Sequence, residues 1–233
     1  MMQISARWVG IFSGLMLGAS QICSAAYAAS FTVTAGGVTD PTAGVIADIA
    51  AIPGAVRSTA LAFNTGVVPA TFTSPNGTPT LQTGTTATST APTGDTTTYL
   101  SVGGANVDDV IWLLPGTTVL NYTGFYWGSV EASNVVNILN NGTLVFSFTG
   151  ADAIAQLGVQ AGDSFFVNFF APSGAVFNRV DFLSPGSAAF EIDSFSLRTS
   201  TVPEPLSTAG LLVFGAMGAS KLRGGNRRQS TQK

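Results

Sequence analysis

The 233-residue sequence contains no histidine, and its two lysines both lie after residue 220. These absences exclude His-assisted triads, the common His-containing zinc sites and Schiff-base chemistry from the body of the chain. Residues 29–202 hold eleven acidic side chains and three arginines, hence a net charge of −8. Because neutralising phosphates requires a basic surface, this balance argues against a nucleic-acid partner. Pairs of carboxylates are the catalytic groups that remain.

The N-terminus has the order of a secretory signal. Arg7 supplies a positive charge, Trp8 to Ala19 is apolar, and Ala26-Tyr27-Ala28 matches an A-x-A cleavage site. We therefore expect signal peptidase to remove residues 1–28. The single cysteine, Cys23, would be removed with them, since the residue before it is too large for a lipid-attachment site. The mature protein would then be exported without any disulfide.

The C-terminus has three parts in a fixed order. Val202-Pro203-Glu204-Pro205 comes first, an uncharged apolar run covers 206–220, and a basic tail without acids covers 221–233. A helix of this length spans roughly 22 Å, which is short of the ~30 Å hydrocarbon core. The basic tail favours a cytoplasmic end. The plain interpretation of this segment is a C-terminal membrane anchor.

The same order resembles the PEP-CTERM sorting signal of Gram-negative and cyanobacterial surface proteins, here over 202–228 with a transmembrane helix at 206–220. The resemblance implies that Pro203, Glu204 and Pro205 are recognised by exosortase, a membrane-embedded cysteine transpeptidase. It also implies transient anchoring in the inner membrane, then a place at the cell surface or in the extracellular matrix. Such proteins are linked to exopolysaccharide and biofilm production.

Residues 29–95 form a leader rich in Thr, Gly and Pro, for which a contribution of edge strands to the following domain is one alternative. Thirteen threonines and no charge before Asp95 make 71–98 a candidate for a linker, a long surface loop or an edge hairpin. Upstream, Phe31–Thr34 and Ala60–Phe63 are predicted as short strands, and Ala43–Ile52 as a short helix ended by Pro53.

From residue 96 to 200, strand-like runs recur with turn residues between them, which predicts an antiparallel β-sandwich. Asn141-Gly142 between two apolar runs predicts a hairpin. A short helix is expected over Asp152–Leu157, and a slip in the alternation predicts a bulge near Asp193-Ser194. The predicted strands are 98–102, 110–114, 119–127, 135–139, 144–149, 165–170, 176–183 and 189–197.

Four short segments in this region, Tyr99–Val102, Gly124–Val130, Val167–Phe170 and Ala189–Asp193, resemble a family of exosortase-dependent surface proteins. That family is similar to jelly-roll, carbohydrate-binding-like sandwiches, and the match covers roughly 96–198. The resemblance implies a jelly-roll-like β-sandwich for this part of the chain.

Two sets of side chains are candidate sites. Tyr122, Tyr126 and Trp127 are a candidate ligand site, because aromatic rings near polar groups recognise sugars, but the general burial of aromatic residues favours core packing over a sugar platform. Glu191 and Asp193 share one strand face and are candidate ligands of a structural Ca²⁺, against the alternative of a solvated strand face. No EF-hand loop occurs in the sequence, and no other cofactor is expected.

Three functions follow from these patterns. The first is a non-enzymatic exported protein that exosortase sorts to the cell surface or matrix. The alternative is a carbohydrate-binding module that recognises exopolysaccharide. The third is a glycan-active enzyme that uses Glu131 or Glu191 with an Asp partner.

Overall fold

The structure of the chain is a computed structural model that describes residues 30–40, 44–186 and 189–200. The predicted signal peptide and the predicted sorting signal lie outside these residues. Within the described ranges, no helix has the length and apolar character needed to cross a membrane.

The described residues form short antiparallel strands and very little helix. The strands are β1 (Thr32–Ala35), β2 (Val38–Asp40), β3 (Gly44–Ile46), β4 (Val56–Arg57), β5 (Phe72–Thr73), β6 (Thr80–Thr83), β7 (Thr98–Gly103), β8 (Asp109–Leu113), β9 (Val119–Gly128), β10 (Val135–Asn140), β11 (Thr143–Thr149), β12 (Phe165–Phe170), β13 (Arg179–Leu183) and β14 (Ala189–Ser200). One helical turn, α1 (Gly150–Asp152), continues as a π-helical turn over Ala153–Leu157.

Two main sheets carry the fold. The larger sheet has the order β1-β12-β9-β14-β7-β6, with β4 also paired to β14, and the smaller has the order β11-β10-β13-β8-β5. Every pairing between these strands is antiparallel. The prediction of an all-β antiparallel fold is therefore confirmed.

The core lies between the two sheets and is built largely from aromatic rings. Phe125 and Trp127 of β9 and Phe190 of β14 point into it from the larger sheet, and Trp112 and Phe182 point into it from the smaller one. The rings of Trp127 and Phe190 stack at 4.5 Å, and Phe125 meets Phe182 edge to face at 5.3 Å. Each such pair contributes about 0.5–1.5 kcal/mol of stability beyond that from the apolar area that it buries.

Three local features predicted from the sequence of the second half of the chain are confirmed. Asn141 and Gly142 both have positive φ, as a two-residue hairpin turn between β10 and β11 requires. The β14 bulge is confirmed by a register shift between Asp193 and Ser196. The helical turn ends at Gly158, which adopts the left-handed conformation favoured at helix C-termini.

Two predictions in the leader are wrong. Instead of a helix over Ala43–Ile52, residues Gly44–Ile46 form β3, which pairs with β2 in a hairpin. Pairing of β-branched Val45 and Ile46 outweighs the weak helix pattern. Instead of a strand over Ala60–Phe63, the chain makes a 3₁₀ turn over Thr59–Leu61. That turn inserts Leu61 and Phe63 into the core, where Phe63 packs edge to face on Phe72.

The leader is part of both sheets. Its strands β1, β4 and β6 pair with β12, β14 and β7 of the larger sheet, and β5 pairs with β8 of the smaller sheet. Residues 71–98, for which the sequence left open a linker, a loop or an edge hairpin, supply β5, β6 and the start of β7.

Two further leader segments lie over the outer face of the larger sheet, and we call residues 44–55 and 84–97 the cover. The first segment places Ala47 on Tyr126 and Phe166, and Ile52 and Ala55 on Tyr122. The second segment places polar groups on β14, as described below. Both faces of the larger sheet are thereby buried, one by the smaller sheet and one by the cover.

Candidate functional site

The three aromatic side chains proposed as a sugar platform are all buried, so this expectation is corrected. Trp127 lies in the core between the sheets, and Tyr122 and Tyr126 lie on the opposite face beneath the cover. The Tyr122 hydroxyl donates to Asn168 Oδ1 at 2.9 Å, and the Tyr126 hydroxyl donates to the carbonyl of Thr93. Burial raises the pKa of both tyrosines. None of the three rings offers an exposed face to a ligand.

Glu191 and Asp193 lie on the cover side of β14, and both are only 1 % exposed. The alternative of a solvated strand face is therefore wrong. It fails because the cover comes from residues about a hundred positions earlier in the chain, which local alternation does not reveal. A signal was present nonetheless, since Phe190 and Ile192, which alternate with these acids, mark β14 as a central strand.

The Glu191 carboxylate is held by the cover. Its Oε1 accepts hydrogen bonds from the Ser89 hydroxyl at 3.1 Å and from the Thr90 backbone N–H at 2.9 Å. Its Oε2 is buried and accepts no hydrogen bond. Burial raises the pKa of Glu191 to about 7, against the lowering effect of those two hydrogen bonds.

Asp193 meets a second carboxyl group that the sequence analysis missed, Asp95 of the cover. Thr97 joins the two, since its hydroxyl lies 2.6 Å from Asp95 Oδ1 and 3.2 Å from Asp193 Oδ2. Burial, followed by the charge of Asp95, raises the pKa of Asp193 to about 9. The adjacent Ser194 has a positive φ of 56°, because the bulge turns the chain here.

The described residues contain no group of three His, Cys, Asp or Glu side chains that could hold a metal ion together. A metal here would therefore bind the two carboxylates Asp95 and Asp193 with neutral oxygens beside them. The oxygens Asp95 Oδ2 and Asp193 Oδ1 are buried and accept no hydrogen bond, which fits such an ion. Ca²⁺ is the ion suited to a set made only of oxygen atoms.

A pocket of about 330 Å³ opens beside the bulge of β14. Ile46, Ala62 and Phe195 form its apolar part, and Arg57 and Asn64 are polar groups on its wall. The Arg57 guanidinium is oriented by hydrogen bonds to the carbonyl of Ala47, at 3.3 Å from Nε and 3.1 Å from Nη2. The pocket thus combines an apolar floor with a cation held in place.

The outer face of the smaller sheet carries a different set of groups. Arg179 and Asp181 form a bidentate ion pair in the middle of this face, with N–O distances of 2.6 and 2.7 Å. Asn137 lies opposite Asp181 on β10, and Ile111 lies opposite it on β8. Because directly paired residues point to the same side, these groups form one row across the sheet.

Aliphatic side chains flank that polar row. Leu113 lies opposite Arg179 on β8 and is half exposed. Leu183 and Asp109 are paired on the other side of the row. Burial, followed by the charge of Asp181, raises the pKa of Asp109. This face therefore combines an ion pair held in place with partly exposed aliphatic side chains.

Glu131 and Glu191, the two carboxylates proposed for glycoside hydrolysis, lie in different parts of the fold. Glu191 is only 1 % exposed, and its Oε1 accepts hydrogen bonds from Ser89 and Thr90. Glu131 lies in the turn after β9, where its backbone N–H donates to Asn134 Oδ1 at 2.8 Å. Hydrolysis requires two carboxyl groups on either side of an accessible bond, and Glu191 does not meet that requirement.

Comparison with known proteins gives little. No protein-family model matches the chain, and no curated protein matches it. Among solved structures, the chain is similar to a low-affinity xylan-binding module, CBM86, from the xylanolytic gut symbiont Roseburia intestinalis. The match has 15% identity and a TM-score of 0.28, and it covers 44% of this chain and 78% of that chain. Similarity at this level says nothing about what this chain binds.

Proposed function

We propose that this chain is a non-enzymatic exported protein that exosortase sorts to the cell surface or the extracellular matrix. The observation that carries the proposal is the sequence at the two ends of the sandwich. A secretory signal precedes it, and Val202-Pro203-Glu204-Pro205, an apolar run and a basic tail follow it. Signal peptidase acts on the first segment and exosortase on the second, with transient inner-membrane anchoring between the two steps.

The position of the folded part supports this order. Strand β14 is paired along its length with β9, and it ends at Ser200, two residues before Val202. Removal of the chain from Pro203 onwards would therefore leave every described strand in place. A sorting signal that follows the last strand directly can be processed without unfolding the sandwich.

Changing Pro203, Glu204 and Pro205 together to alanine tests the proposal in the native host. We expect the full-length precursor to accumulate in the inner membrane, because the recognition sequence is lost while the apolar run is retained. Immunoblots of membrane, surface and medium fractions measure this. A matched control changes Gln229, Ser230 and Thr231 of the tail to alanine and keeps normal processing. Unchanged size and location of the triple-alanine variant would exclude sorting through this sequence.

A second function, recognition of exopolysaccharide, is favoured by the outer face of the smaller sheet. Its ion pair Arg179–Asp181 is a fixed array of donors and acceptors, and Asn137 adds an amide beside it. Sugar hydroxyls bind such arrays, and the flanking aliphatic side chains suit the C–H faces of sugar rings. The proposed polysaccharide site is therefore this face, in place of the buried Tyr122, Tyr126 and Trp127.

Sedimentation with the host's own exopolysaccharide tests this second function. We expect Asn137→Ala together with Arg179→Ala and Asp181→Ala to reduce the bound fraction at least severalfold, because the polar row is removed. The control is Asp163→Asn, in a loop outside this face, with unchanged binding. Equal sedimentation of the wild type and the triple variant, both folded by circular dichroism, would reject this face as the site.

A further inference from the structure

Two carboxyl groups that are far apart in the chain meet where the cover lies on β14. Asp95 belongs to the cover and is 8 % exposed, and Asp193 belongs to β14 and is 1 % exposed. Each has one oxygen held by Thr97, while Asp95 Oδ2 and Asp193 Oδ1 are buried and receive no hydrogen bond from an N–H or hydroxyl donor. The two carboxyl groups lie within hydrogen-bonding reach of each other. Buried acceptors without a partner are uncommon in folded proteins and call for a physical cause.

Three hydrogen-bond donors lie around this pair. Asp95 Oδ1 accepts from the backbone N–H of Thr97 at 2.7 Å and lies 2.6 Å from its hydroxyl. Asp193 Oδ2 lies within 3.5 Å of the Ser194 hydroxyl. These neutral donors hold one oxygen of each carboxyl group in place, but they supply no positive charge to the pair.

No arginine of the described residues neutralises the pair. Arg57 donates to the carbonyl of Ala47, Arg179 to Asp181, and Arg198 to Asn121 and the carbonyl of Pro53. None of these arginines is among the groups that shift the pKa of Asp193. Burial of an unpaired charge is costly, so the pair requires either a shared proton or a cation from outside the chain.

We propose that a Ca²⁺ ion binds between Asp95 and Asp193 and holds the cover against β14. The oxygens Asp95 Oδ2 and Asp193 Oδ1 are its anionic ligands, and the remaining ligands are neutral oxygens, since no third acid joins the pair. Ca²⁺ accepts hydroxyl, carbonyl and water oxygens in a flexible geometry, whereas Zn²⁺ prefers nitrogen and sulfur and Mg²⁺ a strict octahedron. The inference does not depend on the proposed sorting or on polysaccharide binding.

Glu191 is not a ligand of this ion. Its Oε1 is occupied by Ser89 and Thr90, and the charges that act on its carboxyl group do not include Asp95 or Asp193. Glu191 therefore provides a matched control, because it lies on the same strand face as Asp193, is equally buried and also has an unpartnered oxygen.

Thermal unfolding of the purified full-length chain in CaCl₂ and in EGTA tests the site. At a Ca²⁺ concentration about a hundredfold above Kd, we expect the Tm to rise by about 5–10 °C, because the ion binds only the folded state. Asp95→Asn and Asp193→Asn should each remove this rise, whereas Glu191→Gln should retain it. A Ca²⁺-dependent rise that persists in both Asp variants would overturn the assignment.

A second measurement needs no variant and guards against loss of folding. Tb³⁺ replaces Ca²⁺ at oxygen sites and emits when a nearby aromatic ring is excited. The charge of Asp95 contributes to raising the pKa of both Tyr99 and Tyr126, so these rings are close enough to transfer excitation energy to an ion at the site. We expect sensitised Tb³⁺ emission from the wild type that Ca²⁺ displaces. Emission that Ca²⁺ does not displace, together with equal Tm values in CaCl₂ and EGTA, would show that the pair holds a proton instead.

Discussion

At the scale of single residues, glycine in β9 decides how closely the cover approaches the larger sheet. A Cβ on Gly128 would lie 2.7 Å from Pro92 Cγ and 3.0 Å from Glu191 Cβ. Carbon atoms in contact are normally about 3.5–4.0 Å apart. The ring of Pro92 thus occupies the space that any other residue at position 128 would fill with its side chain.

Gly128→Ala should lower the free energy of unfolding by about 1–3 kcal/mol, because the added methyl group forces the cover away from β9 and β14. Urea unfolding followed by tryptophan fluorescence measures the change. Gly186→Ala is the control, since its Cβ would lie 3.9 Å from the nearest atom, Ser133 Oγ, and should stay within about 0.5 kcal/mol of the wild type. Equal effects of the two substitutions would show that Pro92 does not pack on Gly128.

In the candidate site, the neighbours of a residue in the sequence indicate which face of the strand it lies on, but not whether that face is buried. Side chains alternate along β9, so the spacing of these residues alone puts Tyr122 and Tyr126 on one face and Trp127 on the other, as observed. It did not show that both faces are buried, because the second layer comes from the leader. In the same way Glu191 and Asp193 were assigned to one face correctly, while their burial and the partner Asp95 depended on contacts between distant parts of the chain.

At the scale of elements, the strands of the second half were predictable because turn residues bound each of them. Asn141-Gly142 is the strongest case, since both residues adopt positive φ and the flanking strands pair up to the turn at Asn140–Thr143, with one register shift between Ile138 and Leu139. The leader strands are two to four residues long, and three of them, β1, β4 and β5, pair with strands far along the chain. Short strands of this kind have no local pattern, and only their partners define them.

Gly142→Ala should destabilise the protein by about 1–2 kcal/mol through its backbone alone. The φ of this residue is 79°, and no atom lies within 4 Å of a Cβ placed there, so steric crowding contributes nothing. Equilibrium urea unfolding checks the loss. Ser147→Ala, on the exposed side of the same hairpin, is expected to change stability by less than about 0.5 kcal/mol. A neutral Gly142→Ala would contradict the assigned turn.

At the scale of the whole molecule, the contacts that hold the sandwich together cross the predicted boundary at residue 95 between the leader and the sandwich domain. The leader supplies Phe31, Leu61, Phe63 and Phe72 to the core between the sheets. The cover adds a third layer whose contacts with β9, β12 and β14 bury the tyrosines of the outer face. The mature protein contains no disulfide if the predicted signal peptide is removed, so this packing carries its stability.

A chain that begins at residue 96 should therefore fail to fold as a soluble monomer. It would lose β1, β4, β5 and β6 and the whole cover, and it would expose Tyr122, Tyr126 and Phe166 as one apolar patch. Patches of that kind cause association in solution. Size-exclusion chromatography with a dye that binds exposed apolar surface compares this fragment with a chain that begins at residue 29. A leader that acted only as a linker would predict the opposite outcome, a monomeric fragment with the same near-ultraviolet circular dichroism and the same Tm as the longer chain.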